Sequence, residues 1–422
     1  VDGNLEGKTI LERRIQLERP LSRAGLTKAF KTNGSLTSAG DIHILFTMNW
    51  PSLFAQRTRH MKRSAIRELL RCTARPDMIS FGGGLPAPEF FPVEEVRQAS
   101  AAVLKEHPVT ALQYGETEGI SGLRDWVANH FSRPGLQLAR GNVLIVTGAQ
   151  QGLDLLGRVL LNEGDTVALD NPTYLALLSA WRPLMPQFVT GIDSAEAKVI
   201  YVVPNFQNPQ GTSLDIAQRK KLIEHARANG SAIVEDDPYR ELSFEGEPPP
   251  TLLELDGATN VVYVSTFSKV LAPGLRVGWV IGHEALIEKL VQAKQGMDLH
   301  TSTFNQLLVL ELLRRGVWER QIPRLRATYR ERRDAMLEAL EEYFPKDAKW
   351  TRPAGGMFLM VHLPPRLSAA ELLPACLEKN VAFVPGEEFH LNGAGKNTLR
   401  LNFSNASPER IREGIRRIAA VI

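Results

Sequence analysis

Cysteine is almost missing from this chain. Two occur in 422 residues, Cys72 and Cys376. They are far apart and lack metal-ligand spacing, so neither a disulfide framework nor a metal site is expected. No apolar run is long enough to span a bilayer. No basic segment followed by an apolar core opens the chain, so a secretory signal is not expected and a cytoplasmic location is. An excess of one charge is also lacking. Fifty Lys and Arg face 47 Asp and Glu, leaving a net charge of +3, which argues against a nucleic-acid partner. Internal repeats and low-complexity segments are absent. What is present is an ordinary globular composition, 43% hydrophobic and 23% charged, on a chain that suits one large domain and a smaller one.

Residues 1–47 mix charges, Gly, Ser and Thr without an apolar period. They read as a leader, either a disordered native arm or an appended segment. An amphipathic pattern begins at Met48 in MNWPSLFAQRTRHMKRSAIRELL. Residues 48–92 are expected to form an N-terminal arm and part of the small domain. From about Pro92, helical patterns such as VEEVRQASAAVLKEH and EGISGLRDWVANHF alternate with the β-branched runs NVLIVTG, DTVALDNPTY, KVIYVVPN, GSAIVEDDPY and NVVYVSTFSK. Apolar runs buried on both faces and separated by helices predict a mostly parallel α/β sheet, here over residues 93–335. After that the pattern changes. AKWTRPAGGMFLMVHL, VAFVPGEEFH and NTLRLNFS read as strands of a small α+β domain, 336–422, with helices in LSAAELLPACLEKN and SPERIREGIRRIAAVI.

Active groups in such sheets gather at the carboxyl ends of the strands, and those ends carry TGAQQ, NPTY, PNFQNPQG, EDDPYR and STFSK. Lys269 alone is weak, since a lysine after a strand is most often a solvated boundary residue. The set is stronger. Thr266, Ser268 and Arg276 flank Lys269 as hydroxyls and a cation suited to phosphate. Gly148, Ala149 and Gln150 lie at a strand-to-helix junction, where helix amides bind phosphate. Two phosphate-binding elements beside an amine point to pyridoxal phosphate. Its pyridine nitrogen needs a buried carboxylate. Asp236 can serve, with Glu235 and Asp237 as competing choices. Asn208 and Tyr239 can serve the phenolic oxygen, Tyr174 can stack on the ring, and Arg400 can clamp a substrate carboxylate.

As an ordered set, SFGGGLPAPEFFP, ALQYGETEG, VTGAQQGLDLL, PNFQNPQG, VEDDPYREL, STFSKVLAPGLRVGW, RPAGGMF and NTLRLNFS resemble the fold-type I pyridoxal-phosphate aminotransferases of class I/II. They resemble most the 2-aminoadipate/kynurenine, LysN-type branch. The resemblance runs from about Arg63 to the C-terminus. It implies an aspartate-aminotransferase-like fold: a seven-stranded-type, mostly parallel sheet sandwiched by helices, plus a small α+β domain. It also implies a homodimer with shared active sites. Lys269 matches the Schiff-base lysine and Asp236 the pyridinium partner. Asn208 and Tyr239 match the phenolic-oxygen contacts, and Tyr174 the stacking aromatic. Ala149, Gln150, Thr266, Ser268 and Arg276 match the phosphate cup. Tyr114 matches a tyrosine that reaches the phosphate from the other subunit, and Arg400 the α-carboxylate clamp. Ser64, Arg67 and Gly83 sit where aminoadipate-type enzymes select side chains. Arg67 reads either as a reader of a distal carboxylate or as a solvated helix arginine. The chain departs from the pattern in its leader, in a shortened stretch between Phe188 and Lys198, and at Ala149, where Ser is common.

The expected activity is transfer of the amino group of an L-amino acid to a 2-oxo acid such as 2-oxoglutarate. The donor is of the 2-aminoadipate, glutamate, aromatic or branched-chain type. Another pyridoxal-phosphate reaction on the same fold, a C–S lyase or decarboxylase, is an alternative. A transcription regulator using this domain as a sensor is a second, disfavoured by the short, unpatterned segment ahead of the domain.

Overall fold

The computed structural model describes residues 48–61, 75 and 77–422. The leader expected over 1–47 lies outside the described residues. Met48–Phe54 belongs to a unit of its own and carries a 3-10 turn, Trp50–Leu53. The remainder, from Ala55, is one compact unit. The amphipathic pattern that starts at Met48 does not begin as an α-helix. Its described part forms that turn and a second one, Gln56–His60. Pro51 at the start of the first turn cannot donate a backbone hydrogen bond, and Pro geometry suits a first turn more than a continued helix.

Strand β1 (Ile79–Ser80) precedes the main sheet. That sheet holds β2 (Val143–Val146), β3 (Thr166–Leu169), β4 (Gln187–Thr190), β5 (Val199–Val202), β6 (Ala232–Asp236), β7 (Val261–Thr266) and β8 (Gly278–Ile281). Their order is β2-β8-β7-β6-β5-β3-β4. β4, β3, β5, β6 and β7 are parallel, and β8 runs antiparallel to both β7 and β2. The runs VLIV and VIYV are buried along their whole length, as strands covered by helices on both faces must be. Each such Val, Ile or Leu stabilises the fold by roughly 1.5–3 kcal/mol.

The shortened stretch after Phe188 closes directly. β4 ends at Thr190, Gly191 turns with φ +101°, and Lys221 ties Asp193 at 2.6 Å before β5 begins.

The C-terminal strands are β9 (Lys349–Trp350), β10 (Phe358–His362), β11 (Val381–Ala382), β12 (Val384–Pro385) and β13 (Thr398–Asn402). Four of them form an antiparallel sheet ordered β12-β13-β10-β9, and β1 pairs in parallel with β11. The helices Ala369–Glu378 and Pro408–Ala419 accompany these strands. The chain beyond β1 runs on beside the small sheet: Phe81 donates to Ala382 O at 2.8 Å and accepts from Asn402 N at 2.9 Å. Segment 81–85 is thereby carried to the carboxyl ends of β6 and β7.

Candidate active site

A cavity of about 690 Å³ opens at those strand ends. Its walls include Gly84, Ala149, Gln150, Tyr174, Asn208, Asp236, Tyr239, Thr266, Ser268, Lys269, Arg276 and Arg400. Of the sequence-expected site residues, Tyr114, Gly83, Gly148, Ser64 and Arg67 are not among them, nor are the competing choices Glu235 and Asp237. Ser64 and Arg67 lie outside the described residues. Gly83 is buried, and its neighbours Gly82 and Gly84 make the contacts. Tyr114 is 79% exposed, edge-on to His300, with ring centroids 5.8 Å apart.

The acidic run VEDD distributes itself by the pleat. Successive strand residues face opposite sides. Glu235 and Asp237 point away from the cavity. Glu235 accepts from the amides of Leu252 and Leu253, both at 2.9 Å, at the start of the helix Leu252–Asp256. Asp237 accepts from Asn205 Nδ2 at 2.8 Å and from the Tyr263 hydroxyl at 3.4 Å. Asp236 faces the cavity. Its Oδ2 accepts from the Tyr201 hydroxyl at 2.7 Å, while its buried Oδ1 has no partner among the described residues. Burial pushes the Asp236 carboxyl up to about 7, against the lowering effect of Tyr201. Tyr201 is absent from the sequence-based list because it sits inside the apolar run VIYV.

Lys269 follows β7 in the 3-10 turn Phe267–Lys269. Its Nζ donates to Gly84 O at 2.9 Å. Burial, then Arg276 and Arg400, bring its amine down to about 8, and Asp236 opposes them. A neutral fraction is therefore available near pH 8, where a free lysine would be almost fully charged.

The phosphate-type elements come together as expected. Thr266 Oγ1 and Ser268 Oγ are 2.8 Å apart. Helix Ala149–Leu160 begins at the cavity, and its first amides lack intrahelical partners. Arg276, at the rim, donates to Thr147 O at 3.2 Å. Gly148 sits at φ +76°, and a Cβ there would lie 2.1 Å from Arg276 Nη2. Beneath the cup, the buried Lys294 donates to Gln151 Oε1 at 2.8 Å and to Asp298 Oδ1 at 2.7 Å. Gln151 Oε1 in turn accepts from Thr147 N. Sequence reasoning missed this network, because a lysine in an amphipathic helix reads as solvated.

Arg400, on the central strand β13, is 1% exposed. It donates to Asn208 Oδ1 at 2.7 Å and to Gly82 O at 2.6 Å. Its guanidinium lies 4.3 Å from the Phe358 ring centroid and 4.9 Å from that of Phe389. Burial brings the guanidinium down to about 10, which leaves it cationic at neutral pH. Tyr239 packs edge-on to Phe358 at 5.9 Å and hydrogen-bonds Asn208, and burial drives its phenol well above the ordinary value.

The sequence profile of aminotransferase class I and II matches residues 76–183 and 177–418. The chain belongs to the class I and II aminotransferases. This aminotransferase is 45% identical to the 2-aminoadipate transaminase of Thermus thermophilus over 394 residues, covering 89% of this chain and 98% of that one. It is 40% identical to aromatic-amino-acid aminotransferase 1 of Thermococcus litoralis, over 89% of this chain and 95% of that one. Among solved structures it superposes on LysN, the α-aminoadipate aminotransferase of Thermus thermophilus, complexed with N-(5'-phosphopyridoxyl)-L-leucine. That comparison has a TM-score of 0.83 at 43% identity, covering 89% of this chain and 98% of that one. The fold is aspartate-aminotransferase-like, fold type I, and the enzyme depends on pyridoxal phosphate. The cavity fits that group on its own terms. It offers an amine of lowered basicity, an unpaired buried carboxylate oxygen, paired hydroxyls beside an arginine, and a helix start. Among the described residues, no helix is long and apolar enough to cross a membrane.

Proposed function

We propose that the aminotransferase moves the amino group of an L-amino acid to a 2-oxo acid, such as 2-oxoglutarate, by a ping-pong route through Lys269. The observation that carries this reading is the shared cavity of Lys269, Asp236 and Arg400. When bound, the cofactor supplies an electron sink for the charge left on the substrate α-carbon and a carbon that carries the amino group between substrates. With the cofactor bound, the neutral Nζ of Lys269 would take the proton from the substrate α-carbon as a base and carry it as an acid. Asp236 Oδ1 would hold a proton on the ring nitrogen. Asn208 and Tyr239 would serve the phenolic oxygen, and Tyr174 would stack on the ring. Thr266, Ser268, Arg276 and the amides of Ala149 and Gln150 would hold the phosphate. Arg400 clamps the α-carboxylate with two N–H groups and so sets the angle of the breaking C–H bond.

The donor class is proposed to be 2-aminoadipate, glutamate, aromatic or branched-chain amino acids. The names of the Thermus and Thermococcus relatives support this range. Selection of the side chain is assigned to Gly83 with Ser64 and Arg67. A homodimer with shared sites is part of the reading. It is supported by the exposure of Tyr114 next to exposed Val109 and Leu112, each 75% accessible.

The test is a half-reaction. The loaded enzyme is mixed with single amino acids and no oxo acid. Conversion of the cofactor to its amine form with release of one equivalent of 2-oxo acid supports transamination. Release of ammonia or carbon dioxide instead favours the lyase or decarboxylase reading.

A further inference from the structure

Asp236 is asymmetric. One carboxylate oxygen is occupied by Tyr201 at 2.7 Å, and the other is buried and unpaired. Tyr201 lies on β5 directly beside β6, in register with Val234, and therefore on the same face as Asp236. It is 1% exposed and packed edge-to-face on Trp181, with centroids 6.0 Å apart. Trp181 is itself fixed by donation to Leu153 O at 2.7 Å. The phenol thus has no freedom to leave Asp236. It also stays a donor, because burial and then the Asp236 charge push its phenol far above the range in which a free phenol loses its proton.

The other ionisable groups that act on Asp236 are Asp237, just past the end of β6, Lys269 after β7, and Tyr239 across the cavity. Asp237 and burial both favour a protonated, neutral Asp236. Lys269 opposes them, but its own amine is partly neutral. Tyr201 is the neutral donor that bonds the carboxylate directly, and such a bond favours the ionised form.

We propose that Tyr201 is a positioning residue for the cofactor ring. By bonding Oδ2, it keeps Asp236 ionised and turns Oδ1 toward the ring nitrogen. The inference rests on the reading of Asp236 as the ring-nitrogen partner.

The test compares pyridoxal phosphate with its deaza analogue, in which carbon replaces the ring nitrogen, on wild type, Tyr201→Phe and Asp236→Asn. Tyr201→Phe should bind pyridoxal phosphate about tenfold more weakly and the deaza analogue unchanged. With the natural cofactor, its ring nitrogen should lose its proton at lower pH, read by nitrogen NMR. Its half-reaction rate constant should fall while KM holds. Equal losses for both cofactors, or an unchanged ring-nitrogen titration, would overturn the inference. Asp236→Asn separates the two readings. If it too binds both cofactors as wild type does, the assignment of Asp236 fails. If it loses the preference while Tyr201→Phe keeps it, only the role of Tyr201 fails. Should Tyr201→Phe not fold, fluorotyrosine placed at 201 retains the native shape. Its fluorine resonance should move on loading pyridoxal phosphate and stay nearly still with the deaza analogue. Equal movement would refute the proposal.

Discussion

Arg400 Nη1 donates to Asn208 Oδ1 at 2.7 Å, joining the buried arginine of the small sheet to the loop that follows β5. The proposed substrate clamp and a proposed cofactor contact are therefore held in one rigid unit. Arg400 is also stacked between Phe358 and Phe389. Lysine would keep the charge and lose both the planar fork and the stacking. Arg400→Lys should lower kcat/KM for an amino acid roughly a hundredfold, corresponding to about 3 kcal/mol. Cofactor affinity should change little, checked by equilibrium dialysis.

Lys269 carries the proton in the proposed reaction. Lys269→Ala should cut the half-reaction rate at least about a thousandfold. The phosphate contacts should still retain cofactor after gel filtration. Added methylamine should restore part of the rate, since a free amine can enter a cavity of this size.

Gly148→Ala tests the phosphate cup by displacing Arg276 while leaving every ionisable residue in the sequence. A side chain at φ +76° costs about 1–2 kcal/mol, and its Cβ would occupy the space of Arg276 Nη2. Affinity for pyridoxal phosphate should fall at least about tenfold. Inorganic phosphate should protect the variant less than wild type against thermal unfolding.

Buried ionisable groups make the stability of the cofactor-free enzyme depend on pH. Asp236 has a folded-state value of about 7 against an ordinary 3.8. The folded protein thus binds more protons between those values, and stability is lost as pH rises through the window. Lys269 has a folded value of about 8 against 10.5. The unfolded chain binds more protons there, so stability is regained as pH rises from about 8 to 10.5. Asp236→Asn should remove the first loss, gaining on the order of 4 kcal/mol above neutrality relative to acid pH. Urea titrations of both proteins at several pH values check the sign.

Shared sites predict complementation. Lys269→Ala and Tyr114→Ala homodimers should each be nearly inactive. Mixed and allowed to exchange, they should recover about a quarter of wild-type activity, because half the dimers are mixed and one of each pair of sites is intact. No recovery in a mixture shown by mass spectrometry to hold mixed dimers would place Tyr114 in its own subunit's site or outside both.

The apolar runs ending in polar residues made the parallel strands β2, β3, β5, β6 and β7 legible, with the site side chains at their ends. The antiparallel strand β8 was not. GWVI has the same apolar content as its parallel neighbours, and strand direction is set by pairing rather than composition. The contacts of Gly82 and Gly84 were equally silent, because carbonyl oxygens belong to every residue type. Tyr201 and Lys294 were hidden by the opposite fault: each sits in a pattern that already has an ordinary explanation, a core strand and a solvated helix face. The residues by themselves left the choice among Glu235, Asp236 and Asp237 open, and only the family resemblance pointed to Asp236. The pairing of β6 with β5 and β7 resolves the geometry by setting which face each residue takes.

That acidic run behaves like a reading frame. Each of its three carboxylates is committed to a different neighbour only because the pleat alternates. A substitution in β6 would disturb one of these commitments. Deleting or inserting a single residue would disturb all three, presenting Glu235 or Asp237 to the cavity and stripping the helix at Leu252 of its anchor. Length here is more constrained than identity, and libraries aimed at changing this enzyme's chemistry should vary residues along β6 while never altering their number.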